Sequence, residues 1–159
     1  MKEIVDISTG EIKVGGKGIM LRSIAIGSCI VIAAYDSKNN IGAMAHIMLP
    51  GRAPEKAQQK TRYAADAIDA LVSQMGQLGS KNKDIEVVLV GGGNIVGREN
   101  NTICEDNIKS ILELLKKKHL KIKAQAVGGT ARRSVSLDIG QGIVYCAEGN
   151  GSETELWRA

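Results

Sequence analysis

The sequence predicts an α+β fold, a sandwich of mixed sheets with two main helices. Strand-like runs come in groups, and long helical periodicity occurs in two segments, which argues against a doubly wound parallel sheet. The chain of 159 residues is long enough for one full core, and without any Phe that core must consist of Ile, Val, Leu, Ala and Met. We therefore predict a single domain over 1–159, with a loose polar tail from about 149.

Five strands are predicted in the N-terminal part, each bounded by glycine or polar turn residues. They are "KEIVDIS", "EIKVGGKG" (a short extended piece with a glycine turn), "GIMLRSIAIGS", "CIVIAAYD" and "IGAMAHIML". The turn formers "DSKNN" separate the last two strands, which predicts a hairpin.

Two helices are predicted from apolar side chains at helical spacing, the first over 56–77. The second is "NNTICEDNIKSILELLKKKHL", with a capping box at Thr102 and Glu105. A buried strand, "IEVVLVGGGN", lies between them, and the strands "KIKAQAVGG", "RRSVSLDIG" and "GIVYCAEG" follow. In the tail, Trp157 is expected to dock or to meet a partner.

Composition excludes several classes of protein. Aromatic residues make up 3%, too few for a base-stacking surface, so no nucleic-acid partner is expected. No apolar run reaches the ~18–20 residues of a membrane span, and the N-terminus lacks a secretory core. Three irregularly spaced cysteines fit neither a disulfide framework nor a zinc site. We expect a cytoplasmic protein without cofactor, metal site or direct membrane insertion.

The net charge of +4 is modest, and part of it is local to "LKKKHLKIK", residues 115–123. This run is interpreted as the solvated end of a helix, where positive groups are favoured. Contact with an acidic protein partner is the alternative.

Cys29 and His46 lie on the two arms of the predicted hairpin. If Ser37 and Lys38 are the central loop residues, the two are directly opposed, with Cβ atoms ~4.5–5.5 Å apart. A turn centred on the next two asparagines would break this pairing. The hairpin therefore permits a thiol–imidazole dyad without requiring it.

The position of Cys29 favours a nucleophile. Gly27 and Ser28 precede it at a turn that can leave backbone N–H groups, including that of Cys29, facing a developing oxyanion. The alternative is a core cysteine beside a satisfied, half-buried His46, and the residues alone leave both open.

The other cysteines are weaker candidates. Cys104 and His119 lie 15 residues apart in the second predicted helix, ~22 Å along its axis, and cannot meet. His46 acting as the base for Cys104 is a less favoured alternative. Cys146 is predicted to be a small core residue.

The segment "GSCIVIAAYDSKNNIGAMAHIMLPG" resembles the signature of the CheD family of chemoreceptor glutamine deamidases. "VVLVGGGNIVG" and "VGGTARRSVSLDIGQGIVYC" resemble its glycine-rich and C-terminal segments, so the likeness runs from about Ser23 to Cys146. It implies a CheD-like sandwich, similar to the catalytic domain of deamidating bacterial toxins, with papain-like chemistry.

The resemblance implies that Cys29 is the nucleophile and His46 the general base. The family's third site residue is a threonine six positions before the cysteine; here Ser23 keeps the hydroxyl and lacks the methyl. The implied activity converts receptor glutamine to glutamate through a thioester, and the same route permits hydrolysis of glutamyl methyl esters.

Two kinds of partner follow from the resemblance. The cytoplasmic helices of chemoreceptors would be the substrate, and a CheC-type phosphatase would be a binding partner. The alternative function is that of a regulator of that phosphatase, with weak catalysis.

Two further motifs supply candidates. "GGGNIVG" lacks the G-K-[ST] of a phosphate-binding loop, so its glycines are expected to allow close backbone approach beside the site. Asn94 either holds a substrate amide or stabilises a turn. Arg132 and Arg133 are interpreted as exposed residues, with a structural or substrate-positioning role for one of them, taken as Arg133, as the alternative that the resemblance adds.

Overall fold

The computed structural model describes residues 2–97 and 102–159, and this part of the chain forms ten strands and two α-helices. The strands are β1 (Glu3–Asp6), β2 (Ile12–Gly15), β3 (Ile19–Ile26), β4 (Ile30–Asp36), β5 (Ile41–Ile47), β6 (Glu86–Gly91), β7 (Lys121–Val127), β8 (Arg133–Asp138), β9 (Ile143–Glu148) and β10 (Thr154–Arg158). The helices are α1 (Ala64–Gln77) and α2 (Ile103–Lys117), and short 3₁₀ turns occupy Lys60–Arg62 and Asn82–Asp84.

The strands form two five-stranded sheets. The sheet with the order β1-β3-β8-β9-β10 is called the outer sheet, and that with the order β2-β5-β4-β6-β7 the central sheet. The β1–β3 and β6–β7 pairs are parallel and the remaining pairs are antiparallel. The predicted α+β class with mixed sheets is confirmed.

The central sheet is buried on both faces. In β4, Ile30 and Ile32 pack towards the helices, whereas Val31 and Ala33 pack towards the outer sheet. A strand covered on both sides needs apolar residues at every position, which explains the continuous apolar runs in β4 and β5. His46, on the face of β5 opposite that of Ala45 and Ile47, therefore points towards the outer sheet.

The register of the β4–β5 hairpin differs from the prediction by two residues. Asp36 pairs with Ile41, so the loop has four residues. The Asp36 carboxylate accepts bonds from the backbone N–H groups of Lys38, at 3.0 Å, and Asn39, at 3.3 Å. His46 consequently opposes Val31, and the predicted direct pairing with Cys29 is wrong. Because a shift of two preserves the face, the two side chains can still project to the same side.

The prediction of a loose tail is also wrong. Residues Thr154–Arg158 form β10, which pairs antiparallel with β9 at the edge of the outer sheet. Trp157 packs edge-on against Tyr35, with ring centroids 6.4 Å apart, so its predicted docking is confirmed. Edge pairing with a few apolar contacts is sufficient to order a polar segment.

The helices differ from prediction at their first residues. The first begins at Ala64, eight residues after position 56, because the preceding segment turns and pairs at Leu49 and Tyr63. Thr102 precedes the second helix as expected, but its side chain makes no capping bond. Positions 100 and 101 of that predicted helix lie outside the described residues. No helix within 2–97 or 102–159 is long and apolar enough to cross a bilayer.

Candidate active site

A cleft of about 580 Å³ lies where the two sheets meet near one end of β3 and β5. Cys29 comes from the turn after β3, His46 from β5, and Thr9 from the loop after β1. The cleft thus contains the thiol and the imidazole that the sequence singled out. Ser28 and Gly27 also line it.

Ser23 orients the imidazole from the opposite sheet. Its hydroxyl lies 2.8 Å from the Ile7 carbonyl and 2.8 Å from His46 Nδ1. A carbonyl can only accept, so the single hydroxyl proton goes to Ile7 and the Ser23 oxygen accepts a bond from Nδ1–H. His46 is therefore the tautomer that keeps a lone pair on Nε2, which can act as a base.

Burial sets the resting protonation of the pair. It raises the pKa of the Cys29 thiol, and a hydrogen bond with the Thr9 side chain offsets part of the rise. Burial lowers the pKa of His46, against a smaller opposing effect of the Ile7 backbone. Both shifts favour the uncharged forms, a thiol and a neutral imidazole.

The turn at Cys29 is fixed by the end of β6. The carbonyls of Gly27 and Cys29 accept bonds from the N–H groups of Gly93, at 3.0 Å, and Gly92, at 2.8 Å. Among residues 2–97 and 102–159, no acceptor is bonded to the N–H groups of Ser28 and Cys29. The turn therefore has two N–H donors available next to the thiol.

The glycines of β6 allow this contact, as expected. Gly91 has φ +122°, and a Cβ there would lie 2.3 Å from the carbonyl oxygen of Cys29. Gly92 also has positive φ and would clash with Ile108. A side chain at Gly91 would therefore push the turn at Cys29 out of place, whereas one at Gly92 would press on α2.

Asn94 does not line the cleft. Its carboxamide oxygen accepts the Gly97 N–H at 3.2 Å, which is the predicted turn role. A contact of Asn94 with substrate stays an untested prediction.

The two arginines differ in burial. Arg133 is 8% exposed and donates to the carbonyls of Gly128 at 2.8 Å and Gly91 at 3.3 Å, with Glu148 as its ion-pair partner. Its predicted exposure is wrong, because these bonds hold it inside. Arg132 is exposed and lines the cleft instead.

The remaining thiols lie away from the cleft. Cys104 is buried and donates to the Gly93 carbonyl at 3.2 Å, and Cys146 belongs to the core between the sheets, as predicted. His119 lies exposed just beyond α2. Within the described residues, no three His, Cys, Asp or Glu side chains form a set of metal ligands.

Sequence reasoning missed two residues of the site. Thr9 contacts the Cys29 thiol from a short polar loop, and nothing local marks it. Asn107 is fully buried on the apolar stripe of α2, among Cys104, Ile111 and Leu115. A polar residue at a position that periodicity predicts to be buried was the available signal.

Comparison with known proteins points to one family. The family model described as "CheD chemotactic sensory transduction" matches residues 48–148, a range that begins two residues after His46. A Chlorobium luteolum protein named "Probable chemoreceptor glutamine deamidase CheD" is 37% identical over 150 residues, 94% of this chain and 75% of the relative. A Thermotoga maritima protein named "Chemoreceptor glutamine deamidase CheD" is 29% identical over 157 residues, 98% of each chain.

Among solved structures, a Bacillus licheniformis protein described as hypothetical protein YfiH superposes with a TM-score of 0.43 at 11% identity. The match covers 79% of this chain and 60% of that protein. This likeness is too low to support a conclusion about the site.

Proposed function

The chain belongs to the CheD family, and from that premise we propose that it is a hydrolase that deamidates glutamine side chains of chemoreceptors to glutamate. The names of its relatives support the activity and the substrate. The observation that carries the proposal is the Ser23–His46 bond, which leaves Nε2 of His46 unprotonated in the cleft that Cys29 lines.

Cys29 is the proposed nucleophile and His46 the general base. As Sγ attacks the carboxamide carbon, His46 Nε2 takes the thiol proton, which a neutral resting pair requires. The carbonyl π electrons move to oxygen and form a tetrahedral oxyanion. The imidazolium then protonates the leaving nitrogen, ammonia departs, and a thioester remains on Cys29.

Water completes the reaction. His46 Nε2, neutral again, takes a proton from water as the oxygen attacks the thioester carbonyl. Collapse of the second oxyanion breaks the C–S bond and releases the glutamic acid side chain, which loses its proton to solvent, while His46 returns its proton to the Cys29 thiolate. Ser23 keeps Nδ1 bonded throughout and stabilises the transient imidazolium.

The turn supplies the proposed oxyanion hole. The N–H groups of Ser28 and Cys29 have no acceptor among the described residues and flank the thiol. Preorganised backbone donors of this kind are each worth about 10²–10³ in rate. Gly27 precedes these donors, and a Cβ there would lie 3.2 Å from the Arg132 side chain and 3.3 Å from that of Ile95.

The rim of the cleft suits a protein substrate. Ile24 lines it and is 60% exposed, and Arg132 adds a positive group. Arg22 also lines it but is paired with Asp6 at 2.8 Å. An apolar and basic rim suits the acidic helices expected of a receptor's cytoplasmic part, and a cytoplasmic location is part of the same proposal.

Hydrolysis of glutamyl methyl esters belongs to the same proposal. The acyl group transferred to Cys29 is identical, and methanol leaves in place of ammonia. No residue beyond those named for deamidation is needed for this second substrate.

Binding of a CheC-type phosphatase is the second proposed role. The exposed side chains of Ile24 and Val96, 60% and 66% exposed, would give a protein partner apolar surface near the catalytic turn. Such a partner would compete with receptor for the cleft. If this chain were a weakly catalytic regulator, it would bind the phosphatase, and a thiol reagent would react slowly with Cys29.

The deciding experiment is intact-mass analysis of a receptor cytoplasmic fragment incubated with wild-type protein and with Cys29→Ala. A mass gain with wild type alone is expected.

A further inference from the structure

Asn107 is the polar member of an otherwise apolar stripe on α2. It is fully buried, as are its stripe neighbours Ile111 and Leu115. Removing a carboxamide from water is costly unless its groups are bonded. Its bonds therefore indicate what the residue does at this position.

Both donated bonds of Asn107 reach the catalytic segments. Its side-chain nitrogen donates to the Ser28 carbonyl at 3.3 Å and to the Met48 carbonyl at 3.0 Å. Exchanging nitrogen and oxygen would set an oxygen against two carbonyl oxygens, so the assignment is fixed by the network. One carboxamide thus joins the residue before Cys29 to a residue just beyond His46.

These bonds occur where the hairpin opens. The last ladder pair of β4 and β5 is Ile30–Ile47, and beyond it the N–H of Met48 turns away to Arg62. The turn that carries Cys29 therefore has no ladder bonds to the chain beyond β5. The Asn107 carboxamide spans the gap in place of the missing ladder bonds.

The bond to Ser28 also sets the direction of a catalytic donor. The carbonyl of Ser28 and the N–H of Cys29 belong to one planar peptide unit and point in opposite directions. Fixing the carbonyl on Asn107 therefore fixes the Cys29 N–H. In the same way, the Gly93 bond to the Gly27 carbonyl fixes the Ser28 N–H.

We propose that Asn107 is a positioning residue that orients the Cys29 N–H as an oxyanion donor. The inference rests on the deamidase function proposed above. Asn107 acts through the peptide it holds and does not touch the substrate.

The test separates the oxyanion hole from the dyad. Alkylation of Cys29 by iodoacetamide needs the thiol but forms no tetrahedral oxyanion, whereas deamidation needs both. For Asn107→Leu we expect kcat to fall about 10–100-fold, since the donor is misplaced and not removed, with KM and alkylation rate changing less than about 2-fold.

Leucine is chosen because the carboxamide oxygen of Asn107 has no partner among the described residues, so an apolar side chain also removes that buried oxygen. Asn107→Ala is the second variant, in case leucine does not fit. Ile111→Val, on the same stripe, is the matched control and should keep kcat. The inference is overturned if kcat and alkylation fall together in step with melting temperature, or if kcat is unchanged.

Hydrogen exchange on the wild-type protein needs no variant. The side-chain N–H protons of Asn107 should exchange slowly and the backbone N–H of Cys29 rapidly. A protected Cys29 N–H would overturn the inference. If wild-type protein releases no ammonia from receptor fragments, the proposed function fails, and exchange alone then decides whether Asn107 holds the turn.

Discussion

The Ser23 hydroxyl and His46 Nδ1 lie 2.8 Å apart although they belong to different sheets, β3 of the outer sheet and β5 of the central one. Ser23 is 1% exposed, and its hydroxyl is also bonded to the Ile7 carbonyl. This second bond limits the rotamers of a side chain that lacks the threonine methyl. A serine can therefore hold the imidazole tautomer in this fold.

Replacement of Ser23 by alanine is expected to lower kcat on the order of 10–100-fold, because His46 loses the acceptor that fixes Nδ1–H. This loss is a part of the rate enhancement of about 10²–10⁴-fold that general base catalysis provides. Ser23→Thr keeps the hydroxyl and is the matched control, with kcat within about 3-fold of wild type. The measurement is ammonia release from a receptor fragment. Equal activity of the alanine variant and wild type would remove Ser23 from the site.

The pH profile should reflect a neutral dyad. Burial lowers the pKa of His46, and the base must be unprotonated, so the acid limb of kcat/KM should have its half-point below the ordinary value of about 6.5. As pH falls, activity persists until His46 protonates. A half-point above about 6.5 would contradict a general base whose pKa burial lowers.

Thiol labelling should distinguish the three cysteines. Cys29 lines the cleft, whereas Cys104 and Cys146 are 4% and 7% exposed. We expect iodoacetamide to label Cys29 first in the folded protein, at a rate that falls in a His46→Ala variant. Peptide mapping by mass spectrometry identifies the site. Equal labelling of all three would favour the purely regulatory role.

Replacing the two adjacent arginines should affect different properties, stability for Arg133 and substrate binding for Arg132. Arg133→Met removes a buried guanidinium that holds the carbonyls of Gly91 and Gly128, and should lower the free energy of unfolding by about 2–3 kcal/mol. Arg132→Met, at the exposed rim, should leave stability unchanged and raise KM for receptor fragments. Urea unfolding and steady-state kinetics measure the two effects. The reverse pattern would contradict this division of roles.

The limits of sequence-based prediction are clearest at the hairpin. Apolar runs on either side of "DSKNN" correctly predicted β4 and β5, but loop length depends on Asp36 bonding to the following N–H groups and on positive φ at Asn40. The register was wrong by two residues, which preserved the shared face. An error of one residue would have placed the two side chains on opposite faces.

Contacts between the two sheets could not be predicted from the local sequence pattern. The likeness to CheD sequences suggested Ser23, but no periodicity shows that β3 faces β5 across the core. Thr9 and Asn107 were missed for the same reason, since each reaches the site from another layer of the fold. The β10 edge strand was missed because its sequence is polar and only Leu156 and Trp157 pack inward.

The most direct test of the central claim is the mass of a receptor cytoplasmic fragment after incubation with wild-type protein and with Cys29→Ala. A folded alanine variant with wild-type melting temperature serves as its own control for structure. We predict a gain of about 1 Da for each glutamine converted by wild-type protein, with ammonia released in equal amount, and no change with the variant. A mass gain of the same size with Cys29→Ala would contradict the assignment of Cys29 as the nucleophile.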